Sequence, residues 1–400
     1  DPEGLDCGDS CEAAFELGSI VHLSAAPLPG SRFIGYSGAC SGMSCTVQLA
    51  ADAAVTAEFE ALPTDPANVA FVTSTTTTGN MGGLAGADQL CAERALAAGL
   101  SGTFVAWLSS SEQDAIGRLT GAGGWLRTDG KPFASDPRGP IYYPLRLDEF
   151  GNDLWTGSAL TGTNASGTAT PGQTCEDWTV ATGGAATGAF HTTTVSWTSY
   201  YGGDTCVYPT HIYCFGTDAY RDVTPSSSSD RLAFLSTGTW SPGSGIATAD
   251  ALCESEADDA GEAGVFRALL ATSTASAMSR FNVSGETWVR PDGVEIVATP
   301  ARLFPPGDGP ILDAPINLTL SGEYATAYEF VWTGIGAFYD GRSMQTPGVA
   351  DTTCDDWQSS SPEDEGASGY AGDTNVPFGV NGNVARSCDL ALRVYCLEDE

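Results

Sequence analysis

The sequence predicts an α+β protein made of a small β-rich module and two copies of a mixed helix-and-strand domain. Three observations carry that expectation. Residues 1–62 alternate apolar and polar positions, residues 68–400 contain one pattern written twice, and the twelve cysteines fall into three groups of four, one group to each part. A chain of 400 residues has room for several cores, since domains commonly take ~100–200 residues each.

In the first part Val21 and Leu23, Val47 and Leu49, and Val55, Ala57 and Phe59 stand two apart, the period of strands with one buried face. Pro, Gly and Ser fill residues 27–30 and 37–44, where turns are needed. The run GSIVHLSAAPLPGSRFIGYSGACSGMSCTVQLAADAAVTAEFE, with Cys40 and Cys45 inside it, resembles the divergent InlB B-type repeat of bacterial surface proteins. That resemblance implies a β-grasp-like spacer or adhesive module over 1–62. The stretch Leu62-Pro63-Thr64-Asp65-Pro66 reads as the start of a linker, which we place at 63–67.

The duplication is visible by eye. Phe71 matches Phe234, ADQLC ending at Cys91 matches ADALC ending at Cys253, and GTFVAWL from Gly102 matches GVFRALL from Gly264. WLRTDG from Trp125 matches WVRPDG from Trp288, WTG at Trp155 is paired with WTG at Trp332, and CEDW at Cys175 matches CDDW at Cys354. Both copies close with C-x7-C ending in Tyr-Cys, so two homologous domains are expected at 68–216 and 231–400, with a Ser-rich flexible connector at 217–230. Ala87, Leu90, Cys91, Ala95 and Ala98 recur at helical spacing, as do Ala249, Leu252, Cys253, Ala257 and Ala260, which puts the first cysteine of each group on the buried face of an early helix. Apolar runs at 68–73, 211–215, 231–236 and 391–397 read as opening and closing strands, giving an α+β unit with its ends together. Residues 158–205 and 335–387, rich in Gly, Thr, Ser and Asp without periodicity, read as long loops.

An early helical cysteine, a mid-chain cysteine and a final C-x7-C resemble the C-type-lectin-like fold. Four cysteines allow three pairings, and the resemblance selects the first with the last and the middle two together. It implies Cys91–Cys214, Cys175–Cys206, Cys253–Cys396 and Cys354–Cys388; in the module the expected pairs are Cys7–Cys11 and Cys40–Cys45. More closely, FVTSTTTTGNMGGLAGADQLC, GTFVAWLS, PI, WTG and the CxDW motif are similar to the endostatin-like domains of bacterial outer-surface proteins. That family implies a secreted or cell-surface location and binding of host or matrix macromolecules. The second copy departs from it, reading GTWSPGSGIATADALC where the first has GNMGG.

Charge narrows the functions. Fifty acidic residues against sixteen basic ones leave a net charge of -34, which repels nucleic acid and anionic lipid. With no run of 18 apolar residues, no membrane insertion is expected, and a chain that opens at Asp1 reads as part of an exported precursor. Even cysteine counts favour disulfides in an oxidising compartment over zinc, for which the spacings are wrong and only His22, His191 and His211 are present. No H-E-x-x-H, G-x-S-x-G, G-x-x-x-x-G-K or S-x-x-K motif occurs, so no enzyme is expected.

Sugar-binding C-type lectins chelate calcium through EPN or QPD with WND, and none of these tripeptides is present, so that mechanism does not carry over. The adjacent acids Glu176 and Asp177, mirrored by Asp355 and Asp356, are the candidate calcium ligands, with a solvated turn as the other reading. No cofactor is required. Aromatics unmatched between the copies are the ligand-binding candidates: Trp197, Tyr200 and Tyr201 with Asp204, and Phe338 and Tyr339 with Asp340. Trp178 and Trp357 are assigned to the core, as are Trp125, Trp288, Trp155 and Trp332. The expected partner is an extracellular glycan or protein, or else copies of the chain itself in a surface layer or fibre.

Overall fold

A computed structural model describes residues 7, 11–203, 205–226, 230–304, 312–335, 344–374 and 384–399. The opening strand of the first lobe, β5 (Asn68–Val72), follows four strands of the N-terminal module: β1 (Ile20–Leu23), β2 (Ser31–Gly38), β3 (Cys45–Gln48) and β4 (Val55–Ala61). The lobe continues through β6 (Phe104–Ala106), β7 (Trp125–Leu126), β8 (Pro132–Ala134), β9 (Ser158–Leu160), β10 (Ala185–Ala189), β11 (Tyr201–Gly203) and β12 (His211–Gly216). They form one sheet in the order β11-β10-β9-β12-β5-β7-β8, with β6 also on β12. Both faces of this sheet are covered. Phe71, Ile212 and Cys214 point to the side where the helix Gly83–Ala97 lays down Ala87, Cys91 and Ala95, while Ala70, Val72, Tyr213 and Phe215 meet Trp107, Trp125 and Phe133 on the other. A strand buried on both faces needs apolar residues at every position, which is why Val69 to Val72 runs without alternation.

The second lobe repeats this sheet strand for strand except for β8, which has no counterpart among the described strands. Its strands are β13 (Arg231–Leu235), β14 (Val265–Ala268), β15 (Trp288–Val289), β16 (Phe330–Trp332), β17 (Glu365–Tyr370), β18 (Val384–Ser387) and β19 (Arg393–Asp399), in the order β15-β13-β19-β16-β17-β18 with β14 on β19. The parallel pairing of β9 with β12 recurs as β16 with β19. The helix Ile246–Ala260 again buries the cysteine four residues after its first buried alanine, Ala249 then Cys253. The disulfides join Cys7–Cys11 and Cys40–Cys45 in the module, as expected, and Cys91–Cys214, Cys175–Cys206, Cys253–Cys396 and Cys354–Cys388 in the lobes, the pairing that the lectin-like resemblance implies. Six bridges belong to a protein that folds in an oxidising compartment. Among the described residues no helix is long and apolar enough to cross a membrane.

Three expectations are corrected here. Residues 158–205 are not one long loop, because they contribute β9, β10 and β11, and in the second copy β17 and β18 lie in 335–387. Their small residues hid them: all five residues of β10 (AATGA) are buried, and a Cβ on Gly188 would sit 1.8 Å from the carbonyl oxygen of Trp197. The WTG pairing also shifts. Ala159 pairs with Gly188 as Val331 pairs with Gly369, so the counterpart of Trp332-Thr333-Gly334 is Leu160-Thr161-Gly162. Trp155 is therefore not a core residue; it is 46% exposed with a left-handed φ of 66°, and Tyr328 ahead of β16 shares that conformation at 63°. Finally, the connector is not flexible at its start, since Asn68 exchanges two hydrogen bonds with the backbone of Ala219 and Val223 is buried beside Ser135.

The CxDW motif builds an unusual turn. Cys175 to Trp178 all have positive φ, 50°, 47°, 55° and 67°, and the Trp178 amide donates to the Thr174 carbonyl at 2.8 Å, the bonding of one turn of left-handed helix. Cys354 to Trp357 repeat it at 47°, 51°, 54° and 64°. L-residues avoid this geometry by ~1–2 kcal/mol each. Packing holds it in place: the disulfide anchors its first residue, and the closing tryptophan is fully buried with its indole N–H donating to Ser109 O or Ala271 O at 2.8 Å.

The N-terminal module is β-rich as expected. It consists of two antiparallel pairs, β1 with β3 and β2 with β4, around Tyr36, Cys45 and Val47, and no helix lies among its described residues. Gly30 N–H to Gly121 O at 3.0 Å and Tyr220 N–H to Pro63 O at 2.9 Å seat it on the first lobe.

Candidate functional site

The two lobes meet about a local two-fold axis, which the matched registers make explicit. Gly188 and Gly369 are equivalent, so Thr192 and Asp373 are as well, and these two form a β-bridge with each other across the interface. Arg127 and Arg290 both donate to equivalent carbonyls, of Pro144 and Pro315, which makes Arg146 the counterpart of Asn317. Arg146 then donates to Thr374 Oγ1 at 3.1 Å and Asn317 donates to Thr193 Oγ1 at 2.9 Å, the reciprocal pair of a self-complementary interface. Tyr143 accepts the Glu295 amide at 2.8 Å and packs with Val294 and Ala314, while Lys131 pairs with Glu295 at 3.0 Å.

Arg146 and His191 at this seam are deeply buried. Arg146 is held by Asp153 at 3.0 Å and by the Leu312 carbonyl at 2.8 Å. His191 lies beside it with its carbonyl accepting the Thr374 amide and hydroxyl. Among the described residues neither ring nitrogen of His191 has a hydrogen-bond partner, and burial, reinforced by the Arg146 charge, pushes its pKa down to about 4.

Beside the seam the lobes leave a cleft of about 120 Å3, lined by Thr194, Ser196 and Tyr200 of the first lobe and by Tyr328, Tyr370 and Asp373 of the second. The Tyr328 and Tyr370 rings meet edge to face at 5.9 Å, and the Tyr328 hydroxyl donates to the Tyr200 carbonyl at 3.4 Å. Burial, then the Asp373 carboxylate, then the other two phenols hold the Tyr200 hydroxyl above its ordinary pKa, so the rings and the acid share one electrostatic environment. Tyr200 is placed by the short helical turn Val195–Trp197 and its own amide, which donates to Thr187 O at 2.7 Å. Left-handed Tyr328 is turned outward just before β16, and Tyr370 ends β17.

The structure separates the sequence-derived candidates. Tyr200 reaches the cleft. Trp197 does not, for it is buried in the core against Trp107, Phe133 and Tyr213. Tyr201 contributes backbone to β11, and Asp204, Phe338, Tyr339 and Asp340 lie outside the described residues. In each acid pair one member is engaged by a serine and the other is exposed. Both oxygens of Asp177 are engaged by Ser111, at 2.7 Å from its amide and 2.5 Å from its hydroxyl, which hold the carboxyl below its usual pKa. Asp356 binds Ser273 in the same way at 2.5 and 2.6 Å, while Glu176 and Asp355 stand beside them on exposed turn positions. Among the described residues no three His, Cys, Asp or Glu side chains converge as a metal site.

Tyr328, Tyr370 and Asp373 were missed by sequence reasoning. The signal existed for Tyr370, whose counterpart at the end of β10 is Ala189, so it is an unmatched aromatic once the strands are aligned by register. The literal WTG match concealed that alignment. Compared with known proteins, the chain matches no family model and no curated protein.

Proposed function

We propose that this chain is an exported adhesion or ligand-binding protein whose two lectin-like lobes present one shared site to an extracellular protein or glycan. The interlobe cleft carries this reading, because the exposed phenol of Tyr328, the half-buried phenols of Tyr200 and Tyr370, hydroxyls and a carboxylate converge on a concave surface, the composition of recognition sites. The described residues that line it include no histidine, cysteine or lysine, a composition that suits holding a ligand more than transforming it. The N-terminal module serves as the spacer that carries the lobes, consistent with its likeness to surface-protein repeats.

The test is capture of the purified chain on glycan and extracellular-matrix protein arrays, with Tyr328→Ala and Tyr370→Ala as the comparison. Each substitution is expected to weaken capture by roughly tenfold or more, the effect of truncating an aromatic contact at a binding centre. Capture that survives both substitutions unchanged refutes the cleft as the site. Absence of any capture, with concentration-dependent assembly of the chain in its place, favours a self-associating structural subunit.

A further inference from the structure

We propose that the seam between the lobes is an acid-sensitive joint, opened by protonation of His191 while each lobe stays folded. The inference goes beyond the reading of the cleft and holds whatever the cleft binds. The segment that carries this side chain is also the one that makes the contact. The His191 carbonyl accepts the Thr374 amide at 3.1 Å and the Thr374 hydroxyl at 2.8 Å, while the Thr193 amide and the Thr192 hydroxyl donate to the Gly372 carbonyl at 3.3 and 2.8 Å. A Cβ on Gly372 would stand 2.0 Å from Thr194 Cγ2, so the second lobe fits closely against residues 191–194. Each disulfide lies inside the module or inside one lobe, so the bridges hold the lobes together internally and none crosses the seam.

His191 is 3% exposed, and among the described residues neither ring nitrogen meets an acceptor. An imidazolium has two N–H donors and a charge to place, and burying a charge without a partner is strongly unfavourable. The groups around the ring favour its neutral form. Arg146 beside it carries a like charge. Asp153 and Asp313 are engaged with Arg146 at 3.0 and 3.7 Å, and Asp313 also faces Lys131 at 3.8 Å and Arg302 at 4.0 Å. Asp373, bridged to Thr192 through the backbone, has a partner of its own, and the Tyr200 ring meets the imidazole edge to face at 6.2 Å with its hydroxyl held above its ordinary pKa and so uncharged. Arg146 reaches Leu312 and Thr374 of the second lobe, so parting the lobes brings water to this pocket. In the closed seam the imidazole has a pKa of about 4, against ~6.5 in water, so the open form binds the proton more tightly. The closed form is therefore favoured in full above pH ~6.5 and loses that advantage as the pH falls towards 4.

Hydrogen exchange of the full chain at pH ~7.5 and ~5, expressed as protection factors, reads the joint directly. The Thr193 and Thr374 amides bond across the seam, whereas the Trp107 amide to Tyr213 O at 2.9 Å and the Leu269 amide to Tyr395 O at 2.8 Å lie within the lobes. Protection of the two threonine amides is expected to fall roughly thirtyfold between those pH values, the ratio set by an imidazole with a pKa of about 4 closed and ~6.5 open, while the Trp107 and Leu269 amides change by less than about threefold. His191→Gln and His191→Phe, neutral at both pH values, are each expected to keep the seam's protection constant, and thermal unfolding at pH ~7.5 shows that the fold is intact. Loss at the seam that persists in both variants assigns the sensing to the carboxylates and overturns the proposal. Equal loss at the seam and within the lobes shows that acid weakens the whole fold, and it overturns the proposal too, as does constant protection in the unaltered chain. With three histidines in the chain, the NMR titration of His191 needs no variant: its midpoint is expected well below that of exposed His22, and equal midpoints refute the joint.

Discussion

Asp177 and Asp356 show how one residue type can be read in two ways. Each carboxylate accepts the amide and hydroxyl of a single serine, so the acid fixes a neighbouring loop whether or not an ion is near. Ser111→Ala is expected to lower stability by about 0.5–1.5 kcal/mol, because the bond is exposed and water replaces the lost hydroxyl. Adding calcium or a chelator is expected to leave the melting temperature unmoved, and a rise of several degrees with calcium contradicts this account. His191 makes the second prediction at this scale. Its pKa is about 4 in the fold against the ordinary 6.5, so below pH 6.5 the unfolded chain binds the proton that the folded chain refuses. Its contribution is complete above pH 6.5 and is lost as pH falls towards 4, by up to about 3 kcal/mol. Denaturant unfolding across that range checks the slope, and His191→Phe is expected to flatten it.

At the scale of elements, the left-handed CxDW turn is possible because glycine lies under its tryptophan. A Cβ on Gly162 would stand 2.6 Å from Trp178 Cζ2, and one on Gly334 would stand 2.6 Å from Trp357 Cζ2, with φ at 60° and 66°. Gly162→Ala and Gly334→Ala are each expected to destabilise their lobe by ~2–4 kcal/mol, through overpacking and a disfavoured backbone. Melting temperatures check this, and a change below a degree refutes it. The helices were legible because one face repeats small residues around a cysteine. The β9–β11 strands were not. Their register depends on glycine and alanine packed under distant backbone, as at Gly188 beneath Trp197, and such strands carry neither alternation nor an apolar run.

The whole molecule behaves as a dimer joined in one chain. Arg146 crosses the seam to Leu312 and Thr374 while buried against Asp153, and Asn317 answers it from the other lobe. Arg146→Ala is expected to cost ~2–3 kcal/mol, because the buried Leu312 carbonyl and Thr374 hydroxyl lose a charged donor while the partly exposed Asp153 is rescued by water. It is also expected to split one calorimetric transition of the two lobes into two, and a single unshifted transition shows that the seam does not couple them.

The sequence by itself determined the twofold repeat, the helix faces, the cysteine groups and the β-rich start, since each is a short pattern or one written twice. Only the tertiary structure decided how the lobes pair and where a ligand is received. The residues at the seam differ between the copies, Arg146 against Asn317 and Ala189 against Tyr370, so the repeat conceals them. The cleft draws on 194–200 and 328–373, segments with no shared period, and it exists only because the two lobes meet where Thr192 bridges Asp373.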